Sequence, residues 1–186
     1  MKVLTNLHEA RGTAQRSAAD VITFRPPRVQ DGSAVWELVA ESTLDSNSPY
    51  SYLMMFEYFA DTCLVAELDG QVVGFVTGFR PPEEPETLFI WQIGVAEAAR
   101  GRGLARALLS DLLARQPGKV RYLKATVNPS NQASLGLFRS MAAQLDTRCR
   151  EREIFEEGLF PGTTHEAEML LQIGPFSASE ASLKVS

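Results

Sequence analysis

The stretch Arg100-Gly101-Arg102-Gly103-Leu104-Ala105 joins two patterns of different period. Before it, residues 87–95 (Thr-Leu-Phe-Ile-Trp-Gln-Ile-Gly-Val) form a β-rich apolar run that predicts a buried strand. After it, Leu104, Leu108 and Leu112 recur every fourth residue, with Ala105, Leu109 and Leu113 beside them, which predicts a helix over 101–115. A β-rich run returns at 120–127. A strand, a helix and a second strand in this order predict a right-handed parallel crossover. The junction itself is rich in glycine and arginine. The first turn of a helix has unpaired N–H groups and the positive end of the dipole, and glycine lets a ligand approach that backbone closely. Arginine adds charge-assisted hydrogen bonds. Such a turn suits a pyrophosphate, although it has the spacing of neither a P-loop nor a dinucleotide fingerprint.

The charge distribution supports an anion at this turn. Residues 100–124 hold seven cations (Arg100, Arg102, Arg106, Arg115, Lys119, Arg121 and Lys124) and one anion, Asp111, a net of +6 in a chain whose net charge is -5. The remainder therefore totals -11. Alone, such an island would read as a solvated helix face. With the strand before it, the helix after it and the glycines between, it reads as a site for a small, strongly anionic ligand. The acidic surplus elsewhere counts against nucleic acid and anionic membrane as partners.

Outward from the crossover the pattern stays regular. Residues 63–68 and 71–79 read as strands joined by Asp69-Gly70, a dipeptide suited to a type I′ turn. With 87–95 they make a three-strand meander. Upstream, 21–24 is a short strand stopped by Pro26 and Pro27, Asp31 caps a helix bearing Val35, Trp36, Leu38 and Val39, and residues 50–59 form a second, aromatic helix. Downstream, Ser130 or Asn131 opens a helix through Met141, and weaker strand patterns follow at 144–152 and 166–173. The fold class expected is α/β with a mixed sheet: one domain, mostly antiparallel, with a single parallel β-α-β crossover and helices on both faces. Its bounds are 21–173, after a mobile arm at 1–20 and before a loose tail at 174–186.

A chain of 186 residues suits one domain and can bury a sizeable core without metal or disulfide staples. Hydrophobic residues make up 45% and charged residues 22%, which counts against disorder. No apolar run approaches the ~20 residues that span a bilayer, and the N-terminal residues do not read as a signal peptide. Cys63 and Cys149 form no close-spaced metal or redox motif. Free thiols, no metal and a cytoplasmic setting are the expectations.

Here the residues resemble a family. Arg100, Gly103 and Ala105 stand in the defined places of the Arg/Gln-x-x-Gly-x-Gly/Ala signature of the GCN5-related N-acetyltransferases. The resemblance spans about residues 21–173 in order of elements. It implies that Arg100, Gly101, Arg102, Gly103, Leu104 and Ala105 hold the pyrophosphate of acetyl-CoA, and that Ile93, Gly94 and Val95 pair their backbone with its pantetheine arm. It also places Asn131 beside this cosubstrate. Many members carry, in the next helix, a tyrosine able to protonate the departing thiolate. The matching residue here is Phe138, which packs but has no proton to give.

The acceptor is not implied by the signature. Residues 44–52, 89–92 and 165–169, together with Phe24-Arg25-Pro26-Pro27, resemble the branch of the family that acetylates L-2,4-diaminobutyrate on its 4-amino nitrogen in ectoine synthesis. That resemblance implies Asp45, Asn47, Tyr50, Trp91 and Gln92 as acceptor-binding residues, and Glu168 or His165 as the base. Carboxylates suit an ammonium, and an alkylamine with a pKa near ~10 must lose a proton before it attacks. Asp45 and Asn47 equally suit a turn or a helix cap. Trp91 and Gln92 are neighbours, so a regular strand would turn them to opposite faces. The same holds for His165 and Glu168 at a spacing of three, unless 165 begins the strand or lies in a bulge. Glu168 is the better placed of the two. The alternatives are an acetyltransferase for another amine (a polyamine, an aminoglycoside or a protein N-terminus) and a CoA-binding sensor without chemistry. The oligomeric state is not legible; dimers are common among similar enzymes, and a homodimer stays open.

Overall fold

The computed structural model describes residues 21–116, 118–162 and 165–177. Seven strands form one sheet in the order β1-β2-β3-β4-β5-β7-β6. They are β1 (Thr23–Arg25), β2 (Leu64–Leu68), β3 (Gln71–Phe79), β4 (Thr87–Val95), β5 (Tyr122–Val127), β6 (Cys149–Phe155) and β7 (Glu168–Ile173). Every pairing is antiparallel except β4 with β5. The four α-helices are α1 (Gly32–Ala40), α2 (Pro49–Tyr58), α3 (Leu104–Ala114) and α4 (Gln132–Gln144). α3 is the crossover between the two parallel strands. Among the described residues, no helix is long and apolar enough to cross a membrane.

Strand alternation divides the core between the two faces of the sheet. Leu64, Ala66, Val76, Leu88, Ile90, Leu123 and Leu171 meet the apolar stripes of α3 and α4, including Leu108, Leu112, Leu135 and Met141. Val65 and Phe75, next to those strand residues in sequence, face α1 and α2 instead and pack with Val35, Val39, Tyr52 and Phe56. Each fully buried leucine contributes about 2 kcal/mol of transfer free energy, so α3 is held by its stripe rather than by helix propensity. Asp69 (φ 50°) and Gly70 (φ 79°) both take the left-handed conformation that the tight β2–β3 turn requires.

Four expectations are corrected at their edges. Asp31 stands at the N-cap of α1, but its side chain caps nothing in that helix. Its carboxylate instead accepts two hydrogen bonds from Arg25 (2.7 and 2.9 Å) and one from the Arg28 N–H (2.6 Å), because its own backbone is already helical (φ -72°, ψ -13°) rather than extended as a capping residue needs. α4 runs on to Gln144, and β6 therefore starts at Cys149 rather than near 144; the reversal falls at Asp146, which has a φ of 50°. Packing also continues past Ile173: Phe176 is buried and its N–H bonds the Arg121 carbonyl at 3.0 Å. β7 begins at Glu168, two residues later than the sequence pattern suggests. The proposed arm at 1–20 and the end of the tail lie outside the described residues.

Two irregularities open the sheet where the site lies. β4 and β5 pair only from Thr87↔Tyr122 to Ile90↔Ala125, and beyond that point β4 continues without β5 beside it. At the same place the β3–β4 register slips: Thr77 faces Gln92 but Gly78 faces Ile90, leaving Trp91 as the extra residue of a bulge. A bulge bends its strand and re-aims the side chains around it. A cleft results between the C-terminal ends of the two parallel strands, the usual place for a ligand at such a switch.

Candidate active site

The lower part of the cleft is made by backbone. Gly101 (φ 76°) and Gly103 (φ 72°) flank Arg102 in left-handed conformations, and Gly103 is the N-cap of α3 with no side-chain cap. A Cβ built on either glycine meets nothing within 4 Å, so the space over this turn is open. The unpaired N–H groups of the helix start therefore face solvent beside Arg100, Arg102 and Arg106, which fits a polyanionic group. Arg100 is tied down through Nε, which donates to the Val95 carbonyl at 3.1 Å. A cavity of about 300 Å³ runs from this turn along Gly94, Val95, Arg100 and Ala105 to Asn131 and Ser134. Leu104 is 5% exposed and packs in the core, so only its backbone is available to a ligand. Gly94 has a different physical reason: a Cβ there would lie 2.6 Å from the Phe75 ring and 3.0 Å from Leu44.

The upper part is made by side chains from distant segments. A cavity of about 430 Å³ is lined by Asp45 and Asn47 from the loop before α2, by Trp91, Gln92 and Ile93 of β4, by Asn131, Ser134 and Phe138 of the α4 region, and by His165 and Glu168. The bulge resolves the conflict at Trp91 and Gln92: both adjacent side chains line the same cavity. The conflict at His165 and Glu168 is resolved by the strand start, since β7 begins at Glu168 and His165 precedes it. The His165 Nε2 lies 4.0 Å from a Glu168 oxygen and 4.0 Å from an Asp45 oxygen.

This cluster is oriented from behind. The His165 Nδ1 stands 2.7 Å from the Glu166 carbonyl oxygen, and Phe160 stacks on the ring with centroids 3.7 Å apart. A carbonyl only accepts, so Nδ1 carries a proton toward it, and the other ring nitrogen, Nε2, is turned to the two carboxylates. Burial pushes the Glu168 carboxyl above the ordinary carboxylate range; nearby His165 opposes that shift and Asp45 adds to it. The result is a half-buried base with a second carboxylate and an imidazole nitrogen turned to the same spot.

Asp45 is held through its backbone. Tyr52, fully buried, donates its hydroxyl hydrogen to Gln92 Oε1 at 2.7 Å, and Gln92 Nε2 donates to the Asp45 carbonyl at 2.9 Å. Trp36 Nε1 donates to the Asn47 carbonyl at 3.1 Å and fixes the other side of the loop. The Asp45 side chain remains 79% exposed. Gln92 therefore lines the cavity while its amide is spent on positioning.

Tyr50 is a correction. It is 65% exposed and lines neither cavity, because the first turn of α2 points it outward. Tyr52, two residues and about 200° further round the helix, is buried behind the upper cavity and supports it through its hydrogen bond to Gln92. The period of Met55 and Phe56 carries that signal in the sequence. Asn131 caps α4, its Oδ1 accepting from the Ser134 N–H at 3.0 Å, which explains its place beside both cavities. Phe138 is 2% exposed and forms part of the wall. Phe160 and Ser134 carried no signal that singled them out. Cys63 is buried, and burial pushes its thiol up to about 12, so it is chemically quiet.

Comparison with known proteins fits this geometry. The model of the Acetyltransferase (GNAT) family matches residues 33–142. An L-2,4-diaminobutyric acid acetyltransferase of Halalkalibacterium halodurans is 54% identical over 155 residues, covering 83% of this chain and 82% of that protein. The protein of the same name from Marinococcus halophilus is 48% identical over 170 residues, covering 91% and 99%. The structure of diaminobutyrate acetyltransferase EctA from Paenibacillus lautus, in complex with L-2,4-diaminobutyric acid and coenzyme A, superposes with a TM-score of 0.81 at 43% identity, covering 84% of this chain and 96% of that one.

Proposed function

This chain belongs to the acetyltransferase (GNAT) family, and from that premise we propose that it moves the acetyl group of acetyl-CoA to the 4-amino nitrogen of L-2,4-diaminobutyrate, as in ectoine synthesis. The observation that carries the proposal is the convergence of Asp45, His165 and Glu168 on one cleft that continues to an open helix start. The likeness to a 43% identical structure holding that diamino acid and coenzyme A supports it.

Residues at the turn 100–105 and the free side of β4 at 93–95 hold acetyl-CoA, which supplies an activated acetyl group. The diamino acid arrives with both amines largely protonated, since the ordinary pKa of an alkylamine lies near ~10 and that of an α-amino group near ~8. Asp45 accepts hydrogen bonds from an ammonium group at the mouth, with the His165 ring beside it. Glu168 takes the proton from the reacting nitrogen, directly or through water. Its raised pKa makes it a stronger base than an exposed carboxylate, and Asp45 beside it helps to attract the cation. Trp91 gives the carbon chain an apolar wall. Keeping the 2-amino group charged removes its nucleophilicity and leaves the 4-amino group to attack. With both cysteines free, a cytoplasmic setting suits the chain.

The test is CoA release measured against an amine panel of diaminobutyrate, putrescine, lysine, an aminoglycoside and a peptide N-terminus. Diaminobutyrate should give the highest kcat/KM. Faster turnover of another amine would replace the acceptor. No release with any amine, despite acetyl-CoA binding, would point to a sensor.

A further inference from the structure

The two cavities share four residues: Leu44, Ile93, Asn131 and Ser134. If acetyl passes from a donor in one cavity to an amine in the other, the bond that breaks lies at this junction. Sulfur leaves there with an electron pair, and the surroundings are apolar on the Leu44, Ile93 and Phe138 sides. A developing anion in such a place is stabilised only by a donor already aimed at it. Asn131 has its side-chain oxygen committed to the Ser134 N–H. Ser134 carries the one hydroxyl among the four shared residues, and its Oγ has no protein partner among the described residues. Thr126, the other hydroxyl lining the upper cavity, is engaged with the Glu168 carboxylate. Phe138, one helical turn beyond Ser134 on the same face, offers no donor.

We propose that the Ser134 hydroxyl donates a hydrogen bond to the sulfur that departs from the acetyl group; the proposal rests on the acetyl-transfer reading. As the amine nitrogen bonds to the acetyl carbon, the C–S bond breaks and its electron pair goes to sulfur. The nitrogen sheds two protons: Glu168 passes the ammonium proton to solvent before attack and takes the second as the C–S bond breaks. Ser134 keeps its own proton and stabilises the thiolate, which is finally protonated by water. Ser134 thus touches the reacting atoms without acting as an acid, which suits a hydroxyl far less acidic than a thiol.

Two readouts test this. The first is the ultraviolet absorbance of the thiolate of bound CoA, titrated with pH. The wild type should hold that thiol below its free pKa. Ser134→Ala should return it upward by about one unit or more, the equivalent of about 10-fold in thiolate stability. Ser134→Thr, which retains a hydroxyl, should keep the shift. The second is turnover: kcat in Ser134→Ala should fall about 10- to 100-fold with acetyl-CoA affinity unmoved. Adding Phe138→Tyr places a hydroxyl one turn away, and should restore more rate in the Ser134→Ala background than it adds to the wild type. If the bound thiol has the same pKa in wild type and Ser134→Ala, or if the two substitutions act additively, the proposal fails while acetyl transfer stands. A wild type that releases no CoA with any amine would overturn both.

Discussion

The two halves of the cleft are built by different means. The half near α3 is local: a few consecutive residues, two of them glycines with positive φ, expose helix N–H groups to an open space. The half near β7 is assembled from positions 45, 91–92, 131–138 and 165–168, and is kept in shape by the chain Tyr52–Gln92–Asp45. The first depends on the backbone conformation of consecutive residues. The second depends on placing particular side chains within a few ångströms across long sequence separations.

Substitutions that hit one half and spare the other would sharpen the contrast. The largest effect is expected from Glu168→Gln. It removes the base, and kcat/KM should fall about 10²- to 10⁴-fold while acetyl-CoA affinity stays put. The wild-type rate should climb as pH rises through the raised Glu168 pKa, and this limb should vanish in the variant. The stability effect has the opposite sign. A carboxyl raised on folding binds more protons in the native state, so its ionisation costs stability as pH rises above the unfolded value. At neutral pH Glu168→Gln should therefore melt slightly higher than the wild type, and pH-dependent thermal scans would show it.

Gly103→Glu should do the reverse. It loses the open approach and adds a like charge, and calorimetry should find acetyl-CoA affinity lower by about 100-fold. A left-handed residue with a Cβ costs only about 1–2 kcal/mol, so the domain should stay folded. Wild-type affinity in this variant would break the assignment of the lower half.

Tyr52→Phe keeps the ring packed against Phe75 and Trp91 but deletes the hydrogen bond to Gln92. The Asp45 loop should loosen, raising KM for the diamino acid about 5- to 10-fold, with kcat and acetyl-CoA affinity little moved. An equal loss of cosubstrate affinity would show that the halves are coupled through this pair. The smallest effect is expected from Asn131→Ala, which removes a helix cap worth about 1 kcal/mol and should lower Tm by about 2–4 °C. Asn131→Ser, which keeps a capping oxygen, should recover most of it.

The same contrast governs how much the sequence reveals. The span of β4, the Asp69-Gly70 turn, the α3 stripe and the glycine turn are all local signals, and each stands where its period or its φ requirement places it. The acceptor side was legible only as a set of candidates. Period two separates Trp91 from Gln92 and His165 from Glu168; a bulge and a strand start reunite them, and both arise from pairing with distant strands. Tyr50 and Tyr52 look alike in sequence, and only the phase of α2 against the sheet distinguishes the exposed ring from the buried one. Asp31 shows the same limit, since its choice of Arg25 over the helix depends on a strand that ends six residues earlier.

The central claim is that this cleft delivers acetyl to one of two amines on a short diamino acid. The most direct measurement is NMR analysis of the product formed from acetyl-CoA and L-2,4-diaminobutyrate. The geometry around Asp45, His165 and Glu168 predicts a single product acetylated on the 4-amino nitrogen. A product acetylated on the 2-amino nitrogen, or a mixture of the two, would contradict it.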